Sequence, residues 1–396
     1  MNALLLAALV ATTATSPVQF ERHAIAPFPS GYQVAVADLN ADGRPDVIAV
    51  STDASRADWY ENPSWREHRV TRVDRGVDIA PYDLDDDQRP EIVIAAGFNF
   101  SDSARGGEVL WLDPPGPAEP DADWRPTTVT VDPVTHRVAW ADVDGDRRPE
   151  LIHAPIFGPG SKANIDTKPV HFWAFRIPAD PKAAPWTPWR IDETLTVLHG
   201  IHVGDLDGDG RDEILTASYE GVNRFDLEGR GADAAWQRTP IGPGAPPAND
   251  KPGAPRGSSE VTWGVLAAGR PYIGTVEPWH GDMVVVYTPT DGPKGAWERR
   301  VLDDTIAGGH AAVAADLDAD GVEELLIGWR RGQGGLAIYD PDPSGRIWRK
   351  IPLETGLKVE DAAIADLNAD GRPDIIAIAR ESSELVWFEN RGPRKE

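Results

Sequence analysis

Nine residues, Asp205-Leu206-Asp207-Gly208-Asp209-Gly210-Arg211-Asp212-Glu213, lie between two short apolar runs and constrain the chain more than any other stretch. Carboxylates at positions 1, 3, 5 and 9 make an oxygen-rich cage for a hard divalent cation, and the glycine at position 6 takes the sharp turn. An EF-hand would close at position 12 and continue into a helix. Here the chain continues into a β-rich run, which predicts an ion-holding hairpin turn.

The cage recurs. Asp38, Asn40, Asp42 and Asp46 form a second copy, and Asp366, Asn368, Asp370 and Asp374 a third. Asp316, Asp318, Asp320 and Glu324 form a fourth. In Asp142, Asp144, Asp146 and Glu150 the glycine is replaced by Arg147, and in Asp83, Asp85, Asp87 and Glu91 by Gln88. A residue with a Cβ must then enter the left-handed region, which predicts weaker ion binding in those two turns. Calcium at up to six structural sites is the cofactor expectation.

Self-similarity at this spacing indicates a repeat architecture. Each acidic turn joins two apolar runs, such as 34–37 and 47–50, and an aromatic run follows at Trp59-Tyr60-Glu61-Asn62-Pro63. A fourth run opens with Trp65. Third runs recur near 109, 171, 222, 283, 336 and 385, and fourth runs near Trp124, Trp186, Trp236, Trp297 and Trp348. The missing outer strand stands at the N-terminus, where 20–25 has the form of 65–70. This predicts an all-β fold, a seven-bladed β-propeller of four-stranded blades, closed by the N-terminal strand completing the last blade. Closure removes the sheet edges an open array would expose. The wide gap between the fourth and fifth cages holds one blade without a cage, at 261–266 and 272–276. Insertions at 97–107, 158–169 and 243–259 read as surface loops.

Composition narrows the partners. The net charge of −25 speaks against nucleic acid or an anionic membrane surface as a partner. Much of that acidity is local, because the six turns hold 25 of the 64 acidic residues. With no cysteine, disulfides, thiolate catalysis and zinc–sulfur sites are excluded. Residues 1–14, with an apolar run at 4–11 followed by small residues, are expected to be a secretory signal, leaving one domain at 15–396. The protein is therefore expected to be secreted or periplasmic. No other stretch is long and apolar enough for a membrane helix. Nothing in the sequence bears on oligomeric state.

Topology then sorts the histidines. The acidic turns crowd one face, while the connections at the opposite mouth collect His136, His199, His202 and His310 before inner strands. His280 joins them from Glu277-Pro278-Trp279-His280-Gly281 in the cage-less blade, with His153 and His171 at strand ends nearby. Glu277, Tyr219, Lys162, Arg330, Asp361 and Arg380 are placed at the same mouth. Imidazoles grouped with carboxylates and guanidiniums bind a metal or shuttle protons near neutral pH.

The acidic repeats resemble the FG-GAP or VCBS family of calcium-binding propeller repeats. Thr135-His136, His199-Gly200-Ile201-His202, Glu277-Pro278-Trp279-His280-Gly281, Gly309-His310-Ala311 and Gly328-Trp329-Arg330 resemble the propeller domain of aldos-2-ulose dehydratases. That resemblance implies divalent-metal binding and elimination beside a sugar carbonyl. The cupin domains associated with isomerisation in that family have no counterpart expected within residues 1–396, so the isomerase step is not expected. Under that resemblance, His136, His202 and His280 are candidates for base, acid or ligand, Glu277 for ligand or proton partner, Arg330 for holding the enolate, and His199 and His310 come next. A further divalent metal at the channel mouth and a small sugar or oligosaccharide are implied. The other reading is a non-catalytic glycan- or protein-binding propeller.

Overall fold

The computed structural model describes residues 18–116, 122–162, 165–182, 185–290 and 295–393. The signal expected at 1–14 lies outside the described residues. Within them the chain forms seven four-stranded antiparallel sheets, each in strict sequence order save one. Blades I to VII begin with inner strands Gly31–Ala37, Asp78–Tyr82, Arg137–Ala141, Gly200–Gly204, Val261–Leu266, Gly309–Ala315 and Val359–Ala365. In blade VII the outermost place is taken by the N-terminal strand Val18–Pro27, which pairs antiparallel with Glu384–Pro393 from Val18 opposite Pro393 to Pro27 opposite Glu384.

The second strand of each blade explains the stacking. Asp46–Ser51, Glu91–Ala96, Glu213–Ser218 and Asp374–Ala379 are buried at every position. A strand with water on one face would alternate apolar and polar residues, but one covered on both faces reads as a continuous apolar run. Successive side chains go to opposite neighbours: Ile48 and Val50 pack against blade II, while Val47 and Ala49 pack against blade VII. Apolar clusters of this kind occupy all seven interfaces between consecutive blades.

Each acidic turn joins the first and second strands. The first Asp of every turn accepts hydrogen bonds from the fifth and sixth backbone amides, as Asp38 does from Asp42 at 3.1 Å and Gly43 at 2.7 Å. The closing acid accepts from the amide of the second residue in all six, from Leu39 to Asp46 and from Leu206 to Glu213 among them. Position 6 is left-handed throughout, and Gln88 and Arg147 both adopt φ of 70° there. The fourth position is left-handed too, with φ of 59° at Ala41 and 62° at Ala319.

Side chains also tie blade to blade at this end. The buried Asn62 donates from Nδ2 to Leu367 O of blade VII at 2.7 Å and to Pro45 O at 3.0 Å. Asn390 makes the matching bonds to Leu317 O of blade VI at 2.8 Å and to Pro373 O at 3.1 Å. Substituting Asn62→Ala strands the buried Leu367 carbonyl and the partly buried Pro45 carbonyl and is expected to cost about 1–3 kcal/mol. A lower urea midpoint at unchanged slope is the readout; an unchanged midpoint would remove the asparagine from the inter-blade tie.

Candidate functional site

At the end of the inner strands opposite the acidic turns, the sixth residue before each turn's first Asp arrives at the channel mouth. In chain order these are Tyr32, Val77, His136, His199, His310 and Glu360. In the cage-less blade V, Glu260 precedes the inner strand in the same way that His199 does in blade IV. Seven blades therefore deliver a ring of side chains, most of them polar. His280 reaches this ring from the connection after Arg270–Glu277, on a turn closed by Gly281 N donating to Pro278 O at 2.7 Å. His280 itself is left-handed, with φ of 48°.

Four imidazoles meet. Ring centroids of His199 stand 4.7 Å from His136, 4.5 Å from His280 and 5.1 Å from His310. Behind two of them stand oxygen acceptors. His199 Nδ1 is 2.7 Å from Glu260 Oε1 and 3.2 Å from Ser259 O, and His310 Nδ1 is 2.6 Å from Glu360 O. An acceptor at Nδ1 fixes the hydrogen there and leaves a lone pair on Nε2. Nε2 of His199 lies 2.8 Å from Nε2 of His280. The Tyr32 hydroxyl sits between Nε2 of His136, at 3.4 Å, and Nε2 of His310, at 3.3 Å.

The electrostatics favour neutral rings. Burial, and then the nearby cationic side chains Arg137 and Arg330, push His199 well below the usual imidazole range. His136, His280 and His310 are displaced in the same direction, with burial the first cause in each. Arg330 binds Glu360 and stands 3.4 Å from both ring nitrogens of His280. One layer deeper, the buried Arg137 lies 3.6 Å from Glu260, whose carboxyl burial raises to about 7. Burial likewise raises Asp361 to about 8, although it accepts a hydrogen bond from Val34 N at 3.1 Å.

One nitrogen each of His199, His280 and His310 falls within a 4.8 Å group, a spacing that suits three ligands of one cation. Above them opens a cavity of about 870 Å³, lined by Tyr32, Phe98, Trp279 and Arg331 among others. The acidic turns form separate groups at the opposite end of the strands. Asp83, Asp85 and Glu91 are one, Asp142, Asp144 and Asp146 another, and Asp205, Asp207 and Glu213 a third, each with ligand oxygens within 4.8 Å. Burial and neighbouring acids raise the closing Glu150 and Glu324 to about 8. Oδ1 of Asp144 is buried without a hydrogen-bond partner, so this donor set fits a hard cation.

Of the residues singled out from sequence, His136, His199, His280, His310 and Arg330 come together. His202 does not join them. It lies on strand Gly200–Gly204 opposite Leu215, three residues and so roughly 10 Å along the channel from His199. Side chains alternate on a strand, so two residues three apart leave on opposite faces. Glu277 also stands apart: it receives Arg299 Nε at 2.9 Å, Tyr287 Oη at 2.8 Å and Ser258 Oγ at 3.3 Å, all away from the channel. His171 pairs with Asp132 at 3.2 Å, and His153 with Thr135 Oγ1 at 2.7 Å, outside the ring. Lys162 bridges Asp166 in the 158–169 insertion, and Tyr219 packs behind Trp279 at a centroid distance of 6.0 Å. Sequence reasoning missed Tyr32, Glu260 and Glu360. Their shared place at the entry to the inner strands was the signal that identified His136 and His199.

These observations define a class: a seven-bladed propeller with recurring acidic turns and an imidazole-lined channel mouth. An FG-GAP-like repeat model matches residues 38–94 and 316–377, and an aldos-2-ulose dehydratase β-propeller domain model matches 106–290. The chain is related to aldos-2-ulose dehydratase of Phanerodontia chrysosporium, at 28% identity over 362 residues, and it spans 86% of this chain and 38% of that protein. In fold it is similar to an Agrocybe aegerita lectin specific for non-reducing terminal N-acetylglucosamine, with a TM-score of 0.51, 15% identity and 84% and 81% of the two chains covered. A putative 6-phosphogluconolactonase from Bacteroides uniformis gives a TM-score of 0.52 at 14% identity, over 91% and 95% of the chains.

Burial, and then His171, push His153 down to about 3, against an ordinary imidazole value of 6.5. The unfolded chain takes up that proton as pH falls below 6.5 while the folded chain does not, so acid removes stability. Relative to His153→Gln, the native protein is expected to lose about 1.4 kcal/mol for each pH unit below that point. Urea melts of both proteins from neutral pH to pH 4 check this; a constant difference would contradict a neutral buried His153.

Proposed function

We propose that the chain is an exported, metal-dependent carbohydrate lyase or dehydratase that eliminates a group beside a sugar carbonyl. One observation carries the reading: neutral imidazoles from blades III to VI converge under a cavity of about 870 Å³, with acceptors fixing two tautomers behind them. The 28% identity to aldos-2-ulose dehydratase supports the reaction class.

His199, His280 and His310 would hold a divalent cation, which would supply Lewis-acid polarisation of a carbonyl oxygen. His136 is the neutral ring outside this trio and takes the proton from the carbon beside the carbonyl. The C–O bond on the next carbon breaks, a C=C bond forms, and the departing oxygen takes up a proton. Tyr32, close to both His136 and His310, holds these rings in register. Arg330 places its positive charge toward the developing enolate oxygen. At the opposite face, the six acidic turns hold calcium as structural ions.

Divalent-loaded protein incubated with keto-sugars and uronic-acid oligosaccharides is expected to generate unsaturated products seen as ultraviolet absorbance. His136→Ala should lower kcat by about 10²–10⁴-fold. No product from any sugar, with sugar binding intact in a His136→Ala/His280→Ala double variant, would leave a non-catalytic glycan- or protein-binding propeller. For calcium, a turn saturated a hundredfold over its Kd adds about 2.7 kcal/mol. Chelation is therefore expected to lower the melting temperature of metal-loaded protein; coincident melts before and after would end the structural-calcium proposal.

A further inference from the structure

The cavity wall is charged against the trend of the molecule. In a chain of net charge −25, the wall carries three guanidiniums, Arg330, Arg331 and Arg380, and one carboxylate, Asp282. All three arginines leave the ends of second strands in consecutive blades, Glu324–Trp329 and Asp374–Ala379. Arg330 pairs with Glu360 and stands beside His280, where the elimination uses it. Arg380 pairs with Asp53, but their side chains are 42% and 55% exposed, so that pair holds the guanidinium weakly. Arg331 has no carboxylate partner among the described residues. Its stem crosses Gly308, where a Cβ would stand 2.7 Å from Cγ and 2.8 Å from Cδ, and its backbone N donates to Ala307 O at 2.9 Å. The opposite wall, from blades II and III, is apolar: Phe98, Phe100 and Ile156, with Phe100 braced edge-on against Phe157 at 5.6 Å.

We infer that the mouth takes an acidic oligosaccharide, with a hexuronate carboxylate held by Arg331 and Arg380 and sugar rings lying on Phe98, Phe100 and Ile156. A guanidinium matches a carboxylate in planar, two-pronged fashion, and the apolar C–H faces of sugar rings suit the aromatic wall. A cavity of about 870 Å³ is of the size that encloses a ligand of several rings. The inference rests on the elimination reading only for its chemistry. With its charge neutralised by the guanidiniums, the carboxyl group acidifies the adjoining C–H, the base takes that proton, the C–O bond on the next carbon breaks as the C=C bond forms, and the leaving oxygen takes up a proton.

Calorimetric titration with trigalacturonate and its neutral carboxyl-reduced counterpart, at low and high salt, tests it. The acid is expected to bind at least about tenfold tighter at low salt, with that advantage shrinking at high salt. Arg331→Gln should remove about tenfold in affinity for the acid alone, and Arg331→Lys should restore part of it. Arg331 is exposed, so a melting curve matching the native protein's will certify the variant. Equal binding of the neutral sugar, or unchanged binding of trigalacturonate by Arg331→Gln, overturns the inference. Tight uronide binding without unsaturated product refutes the elimination and leaves the acidic-sugar site standing. Turnover of a neutral keto-sugar with no uronide binding does the reverse.

Discussion

Face-to-face burial of consecutive sheets is the interaction on which the rest of this structure depends. Every blade presents apolar side chains on both faces of its second strand, so each needs two neighbours. An open row of blades would leave two such faces wet. The ring solves this by packing Val34, Val47 and Tyr60 of blade I against Ile376, Ile378 and Leu385 of blade VII. The pairing of Val18–Pro27 with Glu384–Pro393 then joins the first and last described strands within one sheet.

That ring dictates what sort of site the protein has. No single blade holds it: His136, His199, His310 and Glu360 come from blades III, IV, VI and VII, and His280 and Glu260 from blade V. Their mutual distances are set by inter-blade packing, which is rigid because interiors are close-packed. Neutrality follows from the same geometry. Strand entries crowded around a narrow axis exclude water, and burial outweighs every other influence on the four imidazoles.

The fold was legible almost throughout, because acidic turns mark the first hairpin of six blades and tryptophans open the outer strands. Even the cage-less blade could be placed, from its apolar runs around 261–266 and 272–276. The site was legible in part. His136, His199 and His310 were found because histidine is rare and stands out at a strand entry. Tyr32, Glu260 and Glu360 occupy equivalent entries but look like ordinary surface residues until the ring is closed. His202 and Glu277 were grouped with the site by topology, the first ahead of an inner strand and the second in a connection at the mouth, and by the family resemblance. Strand alternation carries the first away from His199, and Arg299 with Tyr287 draws the second into the body of its blade. Gln88 and Arg147 were correctly read as left-handed, whereas the same demand at the fourth position, met by Ala41 and Ala319, left no mark in composition.

Blade V has replaced its acidic turn with a short helical one, Ala267–Gly269, and is fastened there by protein groups alone. Glu323 of blade VI accepts Val265 N at 2.9 Å through its side chain, returns its own amide to Val265 O at 2.8 Å, and receives the Tyr272 hydroxyl at 3.1 Å. Under the proposed calcium binding, hard cations therefore bear on six spokes of the wheel and bypass the seventh. That spoke is the one bearing His280 and Glu260, so on the same proposal part of the mouth is mounted on the sector whose fastening does not run through an acidic turn.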